Sequence, residues 1–458
     1  MKPNEQPAIV WTDMIPSEWS EYRIKGLFWD NSGTISIDQL AELEVDHYSI
    51  PAFDQFGFPS REDGATIASN KTLLFGGEIL YSKLNCHKPR VWIVPSNDHV
   101  KVASTEFVPL SEWHRGAVNK QFISYLLGSA AFAEYMTCFQ TSVTNSHRRI
   151  NPSDLWQTRV PLPPLQEQER ITAYLDASCA AIDEAVAAKR RQIEILDALR
   201  KSASQQILSQ GLRLGLPQKD SEIESIGLVP AHWMVKQLRY ACQINYGITL
   251  QLEKGQSEGD GVRILTVSNI TIDGNLDLED EYYISPSELT PDDYLRDGDL
   301  LFNWRNGSQY HVGKTAFFDQ EGEFTHVSFL LRLRCGREMN PFFLRSYLGV
   351  LKDAGFFSGS KDKVNKTFNS TELKRLRVII PPLDEQKEIC IEIERRTKEI
   401  NDVKAIIEQQ IATLTAYRKS LIHECVTGRR RVTEADVRRV EAQGEQQHLA
   451  AMLGSSAD

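Results

Sequence analysis

Pro163-Pro164-Leu165-Gln166-Glu167-Gln168 returns 218 residues later as Pro381-Pro382-Leu383-Asp384-Glu385-Gln386, and Arg200-Lys201-Ser202 returns at the same spacing as Arg418-Lys419-Ser420. A register held without a gap over so long a stretch marks an internal duplication. Between these anchors Ile171, Leu175, Ile182, Val186, Ile193, Leu196, Leu199 and Ile207 recur at intervals of threes and fours. Ile389, Ile393, Ile400, Ile411, Leu414, Tyr417 and Cys425 match them in the second copy, with Val403 one place early. That spacing predicts one apolar stripe along each of two helices. Prolines ahead of the first turn and a glutamate within it (Glu167, Glu385) suit a helix N-terminus. At 1.5 Å per residue, about 40 residues make a rod of about 60 Å, too long for one small core, so the pair is expected as a coiled coil.

The duplication extends outward. Ile15-Pro16-Ser17-Glu18-Trp19 has its counterpart in Val229-Pro230-Ala231-His232-Trp233, and Gly77-Glu78-Ile79-Leu80-Tyr81-Ser82-Lys83 resembles Gly298-Asp299-Leu300-Leu301-Phe302-Asn303-Trp304. Both of the latter read as a turn entering a buried strand. Short strand-like runs at 91–94, 264–267 and 329–333, with helical patches near 121–132 and 341–354, predict an α+β domain in each half. Each domain closes on Ile150-Asn151-Pro152-Ser153-Asp154-Leu155 or Phe368-Asn369-Ser370-Thr371-Glu372-Leu373, where Asn, Ser and Thr start a turn or a cap. The expected order is a globular domain at 1–162, a helix at 163–210, a linker at 211–228, a second globular domain at 229–380, a second helix at 381–428 and a tail at 429–458.

A chain of 458 residues exceeds one core, and three or four structural units are expected. Seven cysteines spread singly argue against a disulfide framework or a zinc site and fit a reducing cytoplasm. The N-terminus lacks a signal-peptide core, and no apolar run approaches the roughly 18 residues of a membrane span, so a soluble cytoplasmic protein is expected.

Catalytic motifs fail on spacing. Gly313-Lys314-Thr315 follows Gly307 by one residue too many for a phosphate loop, and Ala316-Phe317-Phe318 reads as strand rather than helix. No glycine-rich cofactor loop with an Asn- or Asp-Pro-Pro-aromatic segment is present, and Pro291-Asp292-Asp293 lacks the acidic and lysine partners of a nuclease. His114 and His232 stand alone.

Charge is unevenly placed. The net charge is -10, yet residues 298–378 carry 13 Lys and Arg against 8 Asp and Glu. Asn303, Trp304, Arg305, Asn306, Gln309 and Tyr310 crowd one expected loop, and Lys361, Lys363 and Lys366 surround Asn365. The corresponding first-half places hold Lys83, Asn85, His87, Lys88 and Arg90, then Asn145, His147, Arg148 and Arg149. Arg, Asn and Gln read base edges and Lys neutralises phosphate, so the two sets are candidate DNA-reading heads, with Arg305 and Asn306 foremost.

In this arrangement the chain resembles the specificity subunit of type I restriction-modification systems. The resemblance is carried by Tyr48-Ser49-Ile50-Pro51-Ala52-Phe53-Asp54, Ser69-Asn70-Lys71, the 77–85 stretch and the two Pro-Pro-Leu-x-Glu-Gln helix starts. It implies an α+β fold in which two target recognition domains are separated by two long antiparallel conserved helices related by a pseudo-two-fold axis. Each domain is then expected to read half of a split double-stranded DNA target, with the helices setting the gap. It implies no chemistry, metal or cofactor in this chain. Two modification subunits using S-adenosylmethionine would methylate adenine at N6, and restriction subunits would use ATP and Mg. Arg190, Arg191, Lys398 and Lys404 on the outer helix faces become candidates for docking those partners. The alternative is a coiled-coil scaffold that binds no DNA.

Overall fold

The computed structural model describes residues 15–114, 116–140, 148–213, 215–224, 226–249, 261–306, 311–358 and 366–454. The chain forms two compact units, Met1–Arg190 with Glu408–Asp458, and Arg191–Ile407. Two uninterrupted helices, Leu165–Gln210 of 46 residues and Leu383–Val426 of 44, run from one unit into the other. The fold is thus α+β with two long helices, as the repeat predicts.

The two globular parts share a plan. In the first, a four-stranded sheet has the order Phe28–Trp29, Phe107–Glu112, Ile79–Ser82, Val91–Ile93. In the second the order is Cys242–Tyr246, Leu330–Cys335, Leu300–Asn303, Thr315–Phe317. The central strands Ile79–Ser82 and Leu300–Asn303 are buried at every residue, which is why they read as continuous apolar runs. Each part has a second sheet containing one parallel pair, Glu44–Tyr48 beside Val100–Ala103 or Val262–Leu265 beside Phe324–His326. Each also closes its ends on themselves, Ser20–Arg23 pairing with Arg159–Leu162 and Met234–Gln237 with Arg377–Ile380. Asn151 and Asn369 cap the short helices just before these closing strands, as their residue types predict.

The Pro-Pro-Leu-x-Glu-Gln motif is the joint between domain and helix. In the first unit the Trp19 indole N–H donates to Glu167 Oε2 at 3.2 Å. Gln168 accepts from Asn119 N at 2.8 Å and donates to Pro163 O at 2.8 Å. In the second unit Trp233 donates to Glu385 Oε2 at 3.0 Å, and Gln386 accepts from Asn340 N at 2.7 Å and donates to Pro381 O and Glu338 O, both at 2.8 Å. Asn119 and Asn340 are themselves the N-caps of Lys120–Leu127 and Pro341–Asp353. Each glutamine therefore ties the first turn of a long helix to the first turn of a domain helix.

The far end of the other long helix completes each joint. Gly428, with φ +75°, ends the second helix against Pro16 and Trp19, and Gly211, with φ +70°, ends the first against Trp233. A Cβ at Gly428 would stand 2.4 Å from Pro16 Cδ, and one at Gly211 3.0 Å from Trp233, so both turns need glycine for conformation and for space. Cys425 and Val426 enter the first unit's core, while Ile207 and Leu208 enter the second's.

Within each unit the helices run antiparallel. In the first, Asp183 meets Arg418 at 3.0 Å and Lys189 meets Gln410; in the second, Asp197 meets Lys404 at 2.8 Å and Leu208 shares a core with Ile389. The sequence pattern expects one seam along the whole length, but burial is continuous only towards its ends, with Ile407 buried between them. Ile171, Leu175 and Ile182 are interior, whereas Leu199, Tyr417 and Val403 are about half exposed. Two helices alone cannot enclose a full stripe.

The expected linker is ordered: Gln218–Asp220 pairs with Leu228–Pro230, and Ile223 and Ile226 are buried in the second unit's core. After Gly428 the chain is helical from Glu434 to Gly454, with Val437 and Val440 against the first core. Among the described residues no helix is long and apolar enough to cross a membrane.

Gln386 is fully buried, so Gln386→Leu leaves one amide and two carbonyls without partners. The expected loss is roughly 2–4 kcal/mol of stability, read as a lower midpoint in denaturant unfolding of the full chain. Gln386→Glu, which keeps the acceptor for Asn340 N, should lose less near pH 4 than at pH 7, where a buried carboxylate faces two carbonyls.

Candidate nucleic-acid interface

In each half the strand that enters from Gly77 or Gly298 runs past the end of its sheet and pairs with a second segment from far along the chain. Leu84 bridges to Arg149 antiparallel, flanked by Asn85 N donating to Arg148 O at 2.7 Å and Ile150 N donating to Lys83 O at 3.1 Å. In the second half Arg305 pairs with Thr367 and Asn306 with Lys366, and Phe368 N donates to Trp304 O at 2.9 Å. The registers coincide: Arg149 and Thr367 are 218 residues apart, as are Ile150 and Phe368. Two basic, amide-rich stretches that are remote in sequence thus become one two-stranded ribbon in each domain.

The same turn launches both ribbons. Ser82 Oγ accepts from Leu84 N at 3.3 Å, and Asn303 Oδ1 accepts from Arg305 N at 3.3 Å. Asn303 also donates to His311 O at 3.0 Å and is completely buried. It shapes the loop and has no surface to present, which corrects the expectation that it contacts DNA.

Arg90 is likewise interior. Its guanidinium forms two bonds of 2.7 Å with the Asp54 carboxylate and reaches Leu84 O at 3.5 Å and Lys88 O at 3.4 Å. A buried guanidinium needs a carboxylate and acceptors for its other protons. Arg90 therefore clamps the 84–88 turn to the helix Ile50–Phe56 rather than facing solvent. The turn it holds carries Asn85, in the left-handed region at φ +53°, and the exposed His87 and Lys88. Lys83 is half-buried.

Arg148 and Arg149 are exposed on the opposing segment. Arg149 is held by Glu106 through bonds of 3.0 and 2.7 Å, and that carboxylate raises its pKa. In the second half Arg305 is exposed and its guanidinium lies 5.8 Å from the Phe329 ring centre. Trp304 is half-buried, donates to Ser328 O at 2.7 Å and meets Tyr246 edge to face at 5.5 Å. Tyr246 in turn accepts from Ser370 N at 3.1 Å. An arginine with aromatic neighbours has both a guanidinium fork and stacking surfaces, the groups that meet bases and phosphates. The backbones of Asn306 and Lys366 lie in the ribbon. Asn145, His147, Gln309, Tyr310, Lys361, Lys363 and Asn365 lie outside the described residues.

On the long helices Arg190, Arg191 and Lys398 are exposed. Lys404 is not on an outer face, being paired with Asp197 of the other helix. Lys314, the lysine of the false phosphate loop, is buried and donates to Ile270 O at 3.1 Å. Sequence reasoning gives no role to the side chains of Glu106, Asp54, Phe329 and Tyr246, which become partners only through folding.

Residues 230–413 match the family model described as the type I restriction modification DNA specificity domain. The chain is similar to the specificity subunits of type I restriction-modification systems. Similar proteins include the EcoKI specificity subunit of Escherichia coli K12, 23% identical over 315 residues that cover 67% of this chain and 65% of that protein. The putative MjaX specificity subunit of Methanocaldococcus jannaschii is 24% identical over 79% of this chain and 80% of its own length, and the EcoBI subunit of Escherichia coli is 22% identical over 90% and 89%. A solved chain from work on the assembly and conformational transition of the type I R-M system shares the fold with a TM-score of 0.70 at 18% identity, covering 90% of this chain and 98% of that one. The HsdS subunit of Thermoanaerobacter tengcongensis gives 0.50 at the same identity and coverage.

The Arg90 clamp has a pH signature. Hydrogen bonds from Arg90 hold the Asp54 carboxyl below its ordinary value of 3.8. A depressed folded pKa contributes stability above the unfolded value that is lost as pH falls through the folded one. Asp54→Asn should therefore lower the unfolding midpoint at pH 7, and the difference from the wild type should shrink as pH drops below about 4. Thermal unfolding between pH 7 and pH 3 measures this.

Proposed function

We propose that this chain chooses the DNA target of a type I restriction-modification complex. Each half reads one part of a split double-stranded site through its ribbon, Lys83–Asn85 with Arg148–Arg149 in the first and Trp304–Asn306 with Lys366–Thr367 in the second. The observation that carries this reading is the repetition of one ribbon, launched by one kind of turn, at the same place in two domains of a specificity-subunit fold. A scaffold has no need of two basic ribbons in matching register. A split target needs two.

The chain supplies recognition and leaves methylation and cleavage to its partners. Two modification subunits, using S-adenosylmethionine, dock on the long helices, and restriction subunits, using ATP and Mg, join the same assembly. The middle of the helices supports such docking: Ile195 and Leu199, four apart, and Val403 and Ile406, three apart, are exposed near the Asp197–Lys404 pair. Exposed aliphatic residues at these spacings suit an incoming amphipathic helix. Arg190, Arg191 and Lys398 offer charge beside them.

The direct test is genome-wide sequencing for N6-methyladenine in cells expressing the chain with its modification subunit, against cells lacking only the chain. A split motif methylated on opposite strands and present only with the chain is the expected result. An unchanged pattern would leave the scaffold reading in its place. Within that assay Arg305→Ala should relax or abolish selection of one half-site only, with a loss of about 1–3 kcal/mol, or roughly 5- to 150-fold, in binding. Gel-shift titration at two salt concentrations separates lost base reading from lost phosphate contact, since only the latter reduces the salt slope. Leu199→Glu should weaken co-purification of the modification subunit while the isolated chain keeps its DNA affinity.

A further inference from the structure

Seven cysteines scattered along the sequence give no sign of pairing, yet folding brings two together. Cys242 and Cys335, 93 residues apart, face each other across neighbouring antiparallel strands with their sulfurs 3.5 Å apart. Gly336 N donates to Ala241 O at 2.8 Å, which makes 241 and 336 a hydrogen-bonded pair and places the cysteines in the adjacent non-hydrogen-bonded pair. In that register the Cα atoms stand about 4.5 Å apart and the side chains are closest. That separation lies within the Cα range of disulfides, roughly 4.4–6.8 Å. Cys242 is buried and Cys335 partly exposed.

We propose that Cys242 and Cys335 are a modification site that closes to a reversible disulfide when the protein meets hydrogen peroxide. The accessible Cys335 thiolate attacks one peroxide oxygen, the O–O bond breaks, and Cys335 becomes a sulfenic acid with release of one water after protonation. The Cys242 thiol, losing its proton, attacks that sulfur; the S–O bond breaks, the S–S bond forms and a second water leaves. Two thiols are oxidised and one peroxide is reduced to two waters. Moving the sulfurs from 3.5 Å to bonding distance takes about 1.5 Å. Rotation of two side chains supplies much of that.

The bond would join two strands that frame the second ribbon. The strand beginning at Cys242 ends at Tyr246, whose ring meets Trp304, and the strand ending at Cys335 pairs with Leu300–Asn303, which leads into Trp304. Oxidation therefore fastens the platform under that ribbon and resists its unfolding.

The test uses the full chain, reduced, then exposed to hydrogen peroxide at dilute protein, blocked with an alkylating reagent under denaturing conditions and digested for mass spectrometry. The expected product is a Cys242–Cys335 cross-linked peptide whose formation does not depend on protein concentration and which dithiothreitol removes. The unfolding midpoint of the oxidised chain should rise and return on reduction. In Cys242→Ser, Cys335 should accumulate as a sulfenic acid trapped by dimedone. Full alkylation of both cysteines under peroxide that oxidises the exposed Cys138 overturns the proposal, as does a cross-link between other cysteines. The wild-type mapping decides the matter even where the serine variant fails to fold.

Discussion

The bond between an indole and a carboxylate at the foot of each long helix is the constraint on which the rest depends. Trp19 on Glu167 and Trp233 on Glu385 fix where a domain ends and a helix begins. Burial alone would raise the Glu385 pKa, but hydrogen bonds from Trp233 and His232 outweigh it and keep the carboxyl below its ordinary value. The carboxylate thus stays charged at the positive end of its helix, where the helix dipole also favours it. The neighbouring glutamine adds an amide that can accept and donate at once, and it satisfies backbone groups of both helix starts. Neither Asp nor Leu at that position does both jobs.

Because the opposite end of the other helix closes over the same tryptophan, each compact unit is assembled from a domain, the beginning of the helix that follows it and the end of the helix contributed by the other repeat. Domain limits read along the sequence and units read from packing therefore differ. Arg431 beside Glu167, at 3.6 Å, and Arg213 beside Glu385, at 3.9 Å, stand 218 residues apart and show that even the rim of the joint is repeated. The order of the chain is linear, but the packing is an exchange.

What was legible in the sequence was what depends on local order. Prolines and glutamates started the helices, Asn151 and Asn369 capped where expected, and the runs Ile79–Ser82 and Leu300–Asn303 became central strands. What was not legible depends on which side chain meets which after folding. Residue type alone points to Arg90 and Asn303 as surface readers, whereas burial against Asp54 and the His311 carbonyl makes them supports. The Cys242–Cys335 neighbourhood and the hairpin at 218–230 are set by strand register, which one sequence does not reveal. The coincidence of two ribbons was foreshadowed by composition; their pairing was not.

The two ribbons share a frame and differ in where they carry the guanidinium. In the first half the arginine that faces its partner strand is Arg149, opposite Leu84, on the returning segment; in the second it is Arg305, opposite Thr367, on the outgoing one. Side-chain exchange across such a ladder moves a positive fork from one strand to the other without disturbing a backbone hydrogen bond. The supports differ as well: Glu106 holds Arg149, whereas the Phe329 ring lies under Arg305. A carboxylate partner must be displaced or shared before Arg149 can engage an anion, while an aromatic face leaves all five guanidinium protons available. One frame thereby carries two chemically distinct guanidinium environments, while the tryptophan, glutamate and glutamine of the helix joint are the same in both halves.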